Sequence, residues 1–287
     1  MNDTNNVFAT VGCSTLAYLG YPLEVALHGI ADAGFKFVEI GCIPGFCDHL
    51  FGPVSAPKDI THALDMVSRA GLKVCSLSGH VNLVPPPEGG HLLSVSPEEA
   101  VRLLRARIDA ASNLEAKVIN TAACNPNSIQ EEQLFYTQLE QVAQYASEKK
   151  ITLALEVASG LTESGKRMLG LKEKVRDLPV CINYDTGNIR FYSGLDPLQE
   201  FSIIKDYVGH IHLKDQVGGI GNYHFPALGD GEVNFPGFLK MVKEIEFEGP
   251  ITVEIEFDGP TSRPSLDKID RAVRTSFAFL QRTIASL

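Results

Sequence analysis

Short apolar segments alternate with amphipathic segments along the chain. Each apolar segment is followed by a small loop containing Gly, Pro, Ser or Asn, after which apolar positions recur with the period of a helix. The apolar segments predict strands at residues 8–14, 35–41, 72–78, 116–122, 151–158, 180–184, 208–214 and 250–257. The amphipathic segments predict helices at residues 23–33, 60–70, 97–111, 131–149, 163–176, 197–206, 236–244 and 266–286.

Residues typical of helix boundaries support this division. Ser96 and Asp196 each precede a proline at the start of a predicted helix, as expected for N-caps. Gly34 and Gly71 stand directly before predicted strands, where the preceding helix ends and favours a residue that tolerates a positive φ. Periodicity and boundary signals therefore place the elements in the same positions.

The repeated strand–helix order predicts the fold. The predicted strands are almost continuously apolar, as ITLALEVA at 151–158 illustrates, which is typical of parallel strands covered by helices. Without a linker or compositional break, these units predict a single α/β domain over residues 1–287, a (β/α)8 TIM barrel. The alternative is a doubly wound open sheet, which more often has a glycine-rich phosphate loop after its first strand, where this chain reads CSTLAYLG.

Composition and charge exclude several classes of protein. The chain has 25 Lys and Arg against 35 Asp and Glu, and its net charge of −10 disfavours nucleic acid as a partner. The N-terminus lacks the basic start of a secretory signal, and no segment approaches the ~18 apolar residues of a membrane span, so we expect a cytoplasmic protein. The 6 cysteines form no C-x-x-C pair and are expected to be reduced thiols.

Ionisable residues stand near the carboxyl ends of the last four predicted strands, where the reacting groups of a (β/α)8 barrel lie. They are Glu156 on the fifth strand, Asp185 at the sixth, His210 and His212 on the seventh, and Glu254 and Glu256 on the eighth. Consecutive strands are neighbours in a barrel, so these side chains can converge. The two histidines share a face of their strand, as do the two glutamates of theirs, and the pattern leaves open which member of each pair belongs to the site.

Three carboxylates and one imidazole at one position require a positive charge. A carboxylate inside an apolar strand is costly to bury unless it is paired or binds a cation. We therefore expect one divalent metal ion, and the oxygen-rich ligand set favours Mn²⁺, Mg²⁺ or Co²⁺, with Zn²⁺ as a further candidate. For any single glutamate, the competing interpretation is a side chain that faces solvent or bonds to a lysine.

These motifs resemble the xylose isomerase-like barrel superfamily of sugar isomerases, epimerases and inosose dehydratases, over nearly the whole chain. The resemblance is carried by ALEVA around Glu156, YDTGN around Asp185, GHIHLKD around His212, GDGEVNFPGFL at 229–239 and GPITVEIE around Glu254. It implies that the metal ligands are Glu156, Asp185, His212 and Glu254. It thereby favours His212 over the other histidine of its strand, and Glu254 over the other glutamate.

The resemblance implies a metal-dependent isomerase or epimerase acting on a ketose or sugar phosphate. Its reaction is proton transfer next to a carbonyl through an enediolate that the metal stabilises, with Glu156 and Glu254 as base and acid on opposite faces of the substrate carbon. An inosose-type dehydratase, in which the same enediolate expels water, is the closest alternative. A non-catalytic sugar-binding protein is another, whereas endonuclease IV-type DNA repair enzymes surround three metals with many more histidines than this chain offers.

Two histidines and one loop are candidates for contacts with the small-molecule substrate. His80 ends the third predicted strand, where its imidazole can bond to a sugar hydroxyl. The segment at 81–93, VNLVPPPEGGHLL, combines prolines with glycines and has the composition of a lid over the barrel mouth. His224 lies in the glycine-rich loop after the seventh strand, a segment that similar proteins close over their substrate.

Three further polar residues complete the predicted substrate site. Asn188 stands where tagatose-type epimerases carry a substrate-binding histidine, and the D-x-G-N form is more similar to pentulose-phosphate epimerases. Lys214 and Arg263 are candidates to neutralise a phosphate or carboxylate of the substrate. Homo-oligomerisation is compatible with such a barrel, although no surface stripe in the sequence predicts it.

Overall fold

A closed ring of parallel strands forms the centre of the computed structural model, which describes residues 7–43, 45–50, 60–84 and 94–287. The strands are β1 (Val11–Ser14), β2 (Phe37–Ile43), β3 (Cys47–Asp48), β4 (Lys73–Ser78), β5 (Val118–Ala122), β6 (Thr152–Glu156), β7 (Val180–Asp185), β8 (Val208–Leu213) and β9 (Ile251–Val253). β1 pairs with both β2 and β9, which closes the ring, while the short β3 pairs antiparallel with β2 alone. The prediction of a (β/α)8 TIM barrel is confirmed.

The helices of the described residues surround this ring. They are α1 (Leu23–Ala33), α2 (Ile60–Arg69), α3 (Pro97–Asn113), α4 (Ile129–Glu148), α5 (Gly165–Lys174), α6 (Thr186–Ser193), α7 (Pro197–Ile204), α8 (Phe235–Glu244) and α9 (Leu266–Ala285), with 3₁₀ turns at Thr15–Tyr18 and Lys205–Tyr207. The side chains of Ser96 and Asp196 cap α3 and α7 as the sequence predicts. No helix in the described ranges is long and apolar enough to cross a membrane.

One helix is absent from the sequence prediction. The pattern predicts no helix between the sixth strand and residue 197, yet α6 begins directly after β7. The D-T-G-N sequence is typical of a turn, but the Oδ1 atom of Asp185 accepts a hydrogen bond from the backbone N–H of Asn188 at 2.8 Å and so caps α6. Gly194, with a φ of 68°, ends this helix.

The barrel interior is lined by polar side chains. Glu39, Ser76, Asn120, Asn183 and His210, which come from five different strands, are all 0% exposed. Their hydrogen bonds join strands that do not pair with one another, so these side chains point into the ring. Apolar residues at alternate positions of the same strands, such as Val38, Leu77 and Ile211, pack outward in the hydrophobic core beneath the helices. The six cysteines are all free thiols, as predicted.

Candidate metal centre and active-site cavity

Four residues that the sequence singles out lie together at the carboxyl ends of neighbouring strands. Glu156 is the last residue of β6, Asp185 is the last of β7, and Glu254 directly follows β9. His212 of β8 pairs in register with Asp185, and each of the four residues offers a ligand atom within 4.8 Å of the others. All four side chains are buried.

One nitrogen of His212 and one oxygen of each of the three carboxylates lie close together in this group. His212 Nδ1 lies 3.3 Å from Glu156 Oε1, 3.6 Å from Glu254 Oε2 and 3.7 Å from Asp185 Oδ2. Asp185 Oδ2 is buried without a hydrogen-bond partner among the described residues, although Oδ1 of the same carboxylate caps α6. Asp185 Oδ2 lies 3.7 Å from both His212 Nδ1 and Lys214 Nζ, beyond hydrogen-bond distance, and a buried carboxylate oxygen without a hydrogen bond is costly unless a cation binds to it. The donor set therefore fits a divalent ion that prefers oxygen ligands.

The pKa values at this group reflect the same excess of negative charge. Burial, together with the neighbouring carboxylates of Asp185 and Glu254, raises the pKa of Glu156 to about 8. Burial opposes protonation of His212, but the surrounding carboxylates of Glu39, Glu156 and Glu254 outweigh it and hold its pKa well above the usual value. The protein by itself gathers more carboxylates here than it neutralises, which is the electrostatic condition for binding a cation.

The structure distinguishes the two histidines of β8 from each other, and likewise the two glutamates that follow β9. Of the two histidines, His212 lies in the four-residue group, whereas His210 bonds to Asn183 Oδ1 at 2.7 Å and to Ser76 Oγ at 3.1 Å. Burial lowers the pKa of His210 to about 3, so its imidazole is neutral. Of the two glutamates, Glu254 lies in the group and Glu256 lies beside it in the cavity.

Amide side chains hold one of the two flanking carboxylates. Asn183 Nδ2 donates to Glu156 Oε2, and Asn188 Nδ2 donates to Glu156 Oε1 at 3.4 Å and to the backbone oxygen of Val157 at 3.0 Å. Because Asn188 lies in the first turn of α6, this helix brings it against Glu156. The predicted substrate ligand Asn188 is thus also a neighbour of the metal group.

An ammonium group holds the other flanking carboxylate. Lys214 is 2% exposed, and its Nζ atom lies 2.9 Å from Glu254 Oε2 and 2.9 Å from Glu256 Oε2. It also lies 4.5 Å from the centroid of the Phe225 ring, a cation–π distance. Burial opposes the charged form, but these carboxylates and Asp185 hold the pKa of Lys214 well above its usual value. Lys214 is therefore a charged donor with two carboxylate partners of its own.

A cavity of about 260 Å³ opens onto the group from the barrel mouth. Three of the predicted substrate ligands, His80, Asn188 and Lys214, line it together with Glu156 and Glu254. Its apolar wall includes the aromatic rings of Phe46, Phe191, Tyr192, Tyr223 and Phe225. His80 Nε2 lies 2.8 Å from Asn120 Oδ1, and burial lowers the pKa of this histidine to about 4, so the imidazole faces the cavity uncharged.

The remaining predicted substrate ligands are not brought to this cavity. His224 is exposed and its Nδ1 atom lies 2.9 Å from Asp258 Oδ1. Arg263 is exposed and donates through Nη1 to the backbone oxygens of Pro260 and Ser262 at 3.0 and 2.7 Å. Substrate binding by these two residues stays a prediction. Residues 85–93 of the predicted lid lie outside the described residues.

The sequence pattern missed Glu39, a carboxylate in the barrel interior. Its Oε1 and Oε2 atoms lie 3.0 and 3.2 Å from His212 Nε2. Although burial disfavours its charge, His212 and a hydrogen bond from Ser76 lower the pKa of Glu39 to about 2. The signal was available, since Glu39 interrupts the apolar strand FKFVEIG in the same way that Glu156 interrupts ITLALEVA.

Comparison with known sequences identifies the family. Residues 27–283 match the sequence model described as a xylose isomerase-like TIM barrel. The chain belongs to this family. The resemblance noted from the strand-end motifs is thus confirmed for most of the chain.

Relatives within and around this xylose isomerase-like family include both epimerases and dehydratases. The chain is 23% identical to L-ribulose 3-epimerase of Methylomonas sp. (strain DH-1) over 244 residues, which cover 80% of this chain and 77% of that protein. It is 31% identical to inosose dehydratase of Lacticaseibacillus casei over 100 residues, which cover 30% of this chain and only 33% of the dehydratase.

A solved structure with the same fold contains a divalent ion. It is a xylose isomerase-like TIM barrel protein from Mycobacterium smegmatis in complex with magnesium, which is 16% identical to this chain, with a TM-score of 0.70. The superposition covers 96% of this chain and 97% of that one. At this identity the likeness shows the fold alone.

Proposed function

We propose that this xylose isomerase-like barrel is a divalent-metal-dependent isomerase or epimerase of a ketose or a sugar phosphate. The observation that carries the proposal is that Glu156 and Glu254 both belong to the four-residue group and both line the open cavity. Two carboxylates can therefore contact a substrate in the cavity next to the proposed metal position. The L-ribulose 3-epimerase relative, which aligns with most of the chain, supports the same reaction class.

The residues proposed to hold the ion are Glu156, Asp185, His212 and Glu254. Mn²⁺, Mg²⁺ and Co²⁺ match this set of three carboxylates and one imidazole better than ions that prefer sulfur ligands. When bound, the ion supplies Lewis-acid stabilisation of the negative charge that develops on the substrate oxygens as the carbon beside the carbonyl loses its proton. Asp185 would hold the ion through Oδ2, because Oδ1 already accepts a hydrogen bond from the first turn of α6.

Glu156 and Glu254 carry the proton transfer. One carboxylate accepts the proton from the carbon next to the carbonyl, and the other, protonated beforehand, delivers a proton to the opposite face of the planar enediolate. The carbon inverts, and no proton is gained or lost overall. Asn183 and Asn188 orient Glu156, while Lys214 orients Glu254, so that each carboxylate is held by donors before the substrate arrives.

The cavity supplies the remaining contacts with the sugar. We assign His80, Asn188 and Lys214 to the hydroxyl groups of the substrate, since all three line the cavity and carry polar atoms. The aromatic wall that includes Phe191 and Phe225 provides an apolar face for the carbon skeleton. This combination of one apolar wall with a few polar groups is typical of a site for a small polar molecule.

A dehydratase is the second candidate, because inosose dehydratases are among the relatives. If a hydroxyl group stands β to the abstracted proton, the same first step is followed by loss of water instead of return of the proton. The ammonium group of Lys214 lines the cavity, where a departing hydroxyl group would need a hydrogen-bond donor. The two candidates thus share the site and differ in the second step.

Incubation of the Mn²⁺-loaded protein with a panel of ketoses, ketose phosphates and inososes in D₂O tests both candidates. Epimerisation or isomerisation predicts incorporation of one deuterium at the carbon beside the carbonyl without loss of water. Dehydration predicts a product that is lighter by one water. Absence of both changes with every compound, in protein shown to be folded and loaded, would contradict the proposed enzyme and favour a sugar-binding protein.

A further inference from the structure

A carboxylate on the far side of the barrel interior contacts the back of the proposed metal ligand His212. Glu39 lies on β2, which does not pair with β8, and its side chain is 0% exposed. Its Oε1 and Oε2 atoms lie 3.0 and 3.2 Å from His212 Nε2, whereas His212 Nδ1 faces Glu156, Asp185 and Glu254. The two nitrogens of one imidazole ring therefore face two separate groups of carboxylates.

Two donors fix the position of Glu39. Ser76 Oγ donates to Glu39 Oε2 at 2.9 Å, and Asn120 Nδ2 donates to the same oxygen at 2.8 Å. An ionised carboxylate only accepts hydrogen bonds, so the proton shared between Glu39 and His212 belongs to Nε2 of the imidazole. The lone pair of neutral His212 is then on Nδ1, which is the atom that faces the proposed ion.

Glu39, His210 and His212 also lie close enough together to hold an ion of their own. Their polar atoms, however, already have hydrogen-bond partners. His210 Nδ1 donates to Asn183 Oδ1, its Nε2 lies 3.1 Å from Ser76 Oγ, and both oxygens of Glu39 lie within hydrogen-bond distance of His212. Asp185 Oδ2 in the other group has no such partner among the described residues. The geometry of the interior group is therefore that of a hydrogen-bond network.

We propose that Glu39 is a positioning residue that fixes the tautomer and ring orientation of His212, and thereby sets the affinity of the site for its divalent ion. The inference rests on the proposed function, because it takes His212 to be a metal ligand. A histidine that binds a metal through one nitrogen gains basicity and a fixed orientation when the other nitrogen donates to a carboxylate. Glu39 itself touches neither the ion nor the substrate.

Cobalt binding to the metal-free protein tests the proposal through a matched pair of variants. Glu39→Gln keeps the size of the side chain but removes its charge. With its amide oxygen accepting from Ser76 and Asn120, its N–H₂ group takes the place of the oxygen that faces His212 Nε2. Val38→Ala, at the preceding position of the same strand, opens a cavity on the outer face and destabilises β2 without touching His212. We expect Glu39→Gln to lower the Co²⁺ affinity about 10- to 100-fold and to change the visible absorption spectrum of bound Co²⁺, while Val38→Ala leaves both unchanged.

The cobalt-binding results distinguish failure of the positioning role of Glu39 from failure of the proposed function. Unchanged affinity and spectrum in folded Glu39→Gln, with wild-type protein binding one Co²⁺, would overturn the positioning role alone. Binding of two Co²⁺ ions by wild type and one by Glu39→Gln would make Glu39 a ligand. A wild-type protein that binds no Co²⁺ would overturn both proposals.

A measurement on wild-type protein covers the case in which Glu39→Gln does not fold. Nitrogen-15 spectra of the histidines in Mg²⁺-loaded protein should show His212 with its proton on Nε2 and none on Nδ1. A proton on Nδ1 of His212 would contradict the proposal.

Discussion

The two carboxylates that flank the candidate metal centre accept hydrogen bonds from different kinds of donor. Glu156, at the end of β6, accepts hydrogen bonds from the neutral amides of Asn183 and Asn188. Glu254, after β9, is bonded by the ammonium group of Lys214 at 2.9 Å, and Lys214 is in turn bonded by Glu256. The side-chain amides that bond to Glu156 are neutral, whereas the donor that bonds to Glu254 is a cation.

This difference indicates that the two carboxylates are not equivalent in the proposed reaction. The ammonium group of Lys214 lies 2.9 Å from Glu254, whereas burial and the neighbouring carboxylates raise the pKa of Glu156 to about 8. An enzyme that inverts a carbon needs one carboxylate ionised and one protonated at the start of each turnover. The different donors of Glu156 and Glu254 are a structural difference between the two residues proposed for these roles.

Removal of either flanking carboxylate should have the largest effect on activity. We expect Glu156→Gln and Glu254→Gln each to lower turnover in the D₂O assay by about 10³-fold, because a general acid or base contributes about 10²–10⁴-fold. Glu163→Gln is the control, since Glu163 accepts from the backbone of Gly160 and pairs with Arg167 away from the metal group. Retention of more than about a tenth of the activity in either test variant would exclude a proton-transfer role for that residue.

Removal of Lys214, the donor to Glu254, should destabilise the protein more than removal of Asn188, a donor to Glu156. Lys214→Met leaves buried carboxylates without their cation and should lower the free energy of unfolding of the metal-free protein by about 3–5 kcal/mol. Asn188→Ala removes neutral hydrogen bonds and should cost about 1 kcal/mol. Urea unfolding gives both values, and the double variant Lys214→Met/Glu256→Gln should recover part of the first loss. Equal losses for the two single variants would contradict the asymmetry.

The fold could be predicted from local sequence patterns, because the apolar segments and helix caps have the same roles in the tertiary structure. Apolar runs became the strands of the ring, and the caps at Ser96 and Asp196 start the predicted helices. The strand-end residues Glu156 and Asp185 were found because a barrel brings the carboxyl ends of successive strands together, whereas the choice of His212 over His210 came from the family resemblance. Sequence order alone thus predicts which side chains are neighbours in this part of the site.

Contacts across the barrel could not be predicted in the same way. Glu39 meets His212 from a strand that is distant in sequence and unpaired with β8, so neither periodicity nor strand order indicates the contact. The carboxylate partners of Lys214 were equally hidden, because the choice between a substrate anion and Glu256 depends on side-chain positions. Helix α6 was missed because the D-T-G-N sequence at its start is typical of a turn, although Asp185 caps the helix.

Substitution of His80 should change substrate binding more than turnover. His80 lines the cavity, and its imidazole lies 3.8 Å from Glu156 and outside the four-residue group. His80→Phe keeps the ring shape but removes both nitrogens, and we expect KM to rise about tenfold, as for the loss of one or two hydrogen bonds to substrate. Steady-state kinetics with the identified ketose measures this effect. A large fall in kcat at unchanged KM would instead assign His80 to the chemical step.

The smallest effects are expected for the two predicted ligands that lie outside the cavity. His224→Ala and Arg263→Ala should each change KM by about twofold or less, as is usual for exposed residues without substrate contacts. The same kinetic assay tests them individually. A tenfold rise in KM for either variant would support closure of its loop over the substrate, as the sequence predicts.

Anomalous diffraction from a crystal grown with Mn²⁺ tests the central claim most directly. We predict one peak per chain, about 2.0–2.4 Å from an oxygen of Glu156, Asp185 and Glu254 and from Nδ1 of His212. A peak at Glu39 and His210 instead, or no peak within reach of the four residues in a crystal soaked at saturating Mn²⁺, would contradict the account.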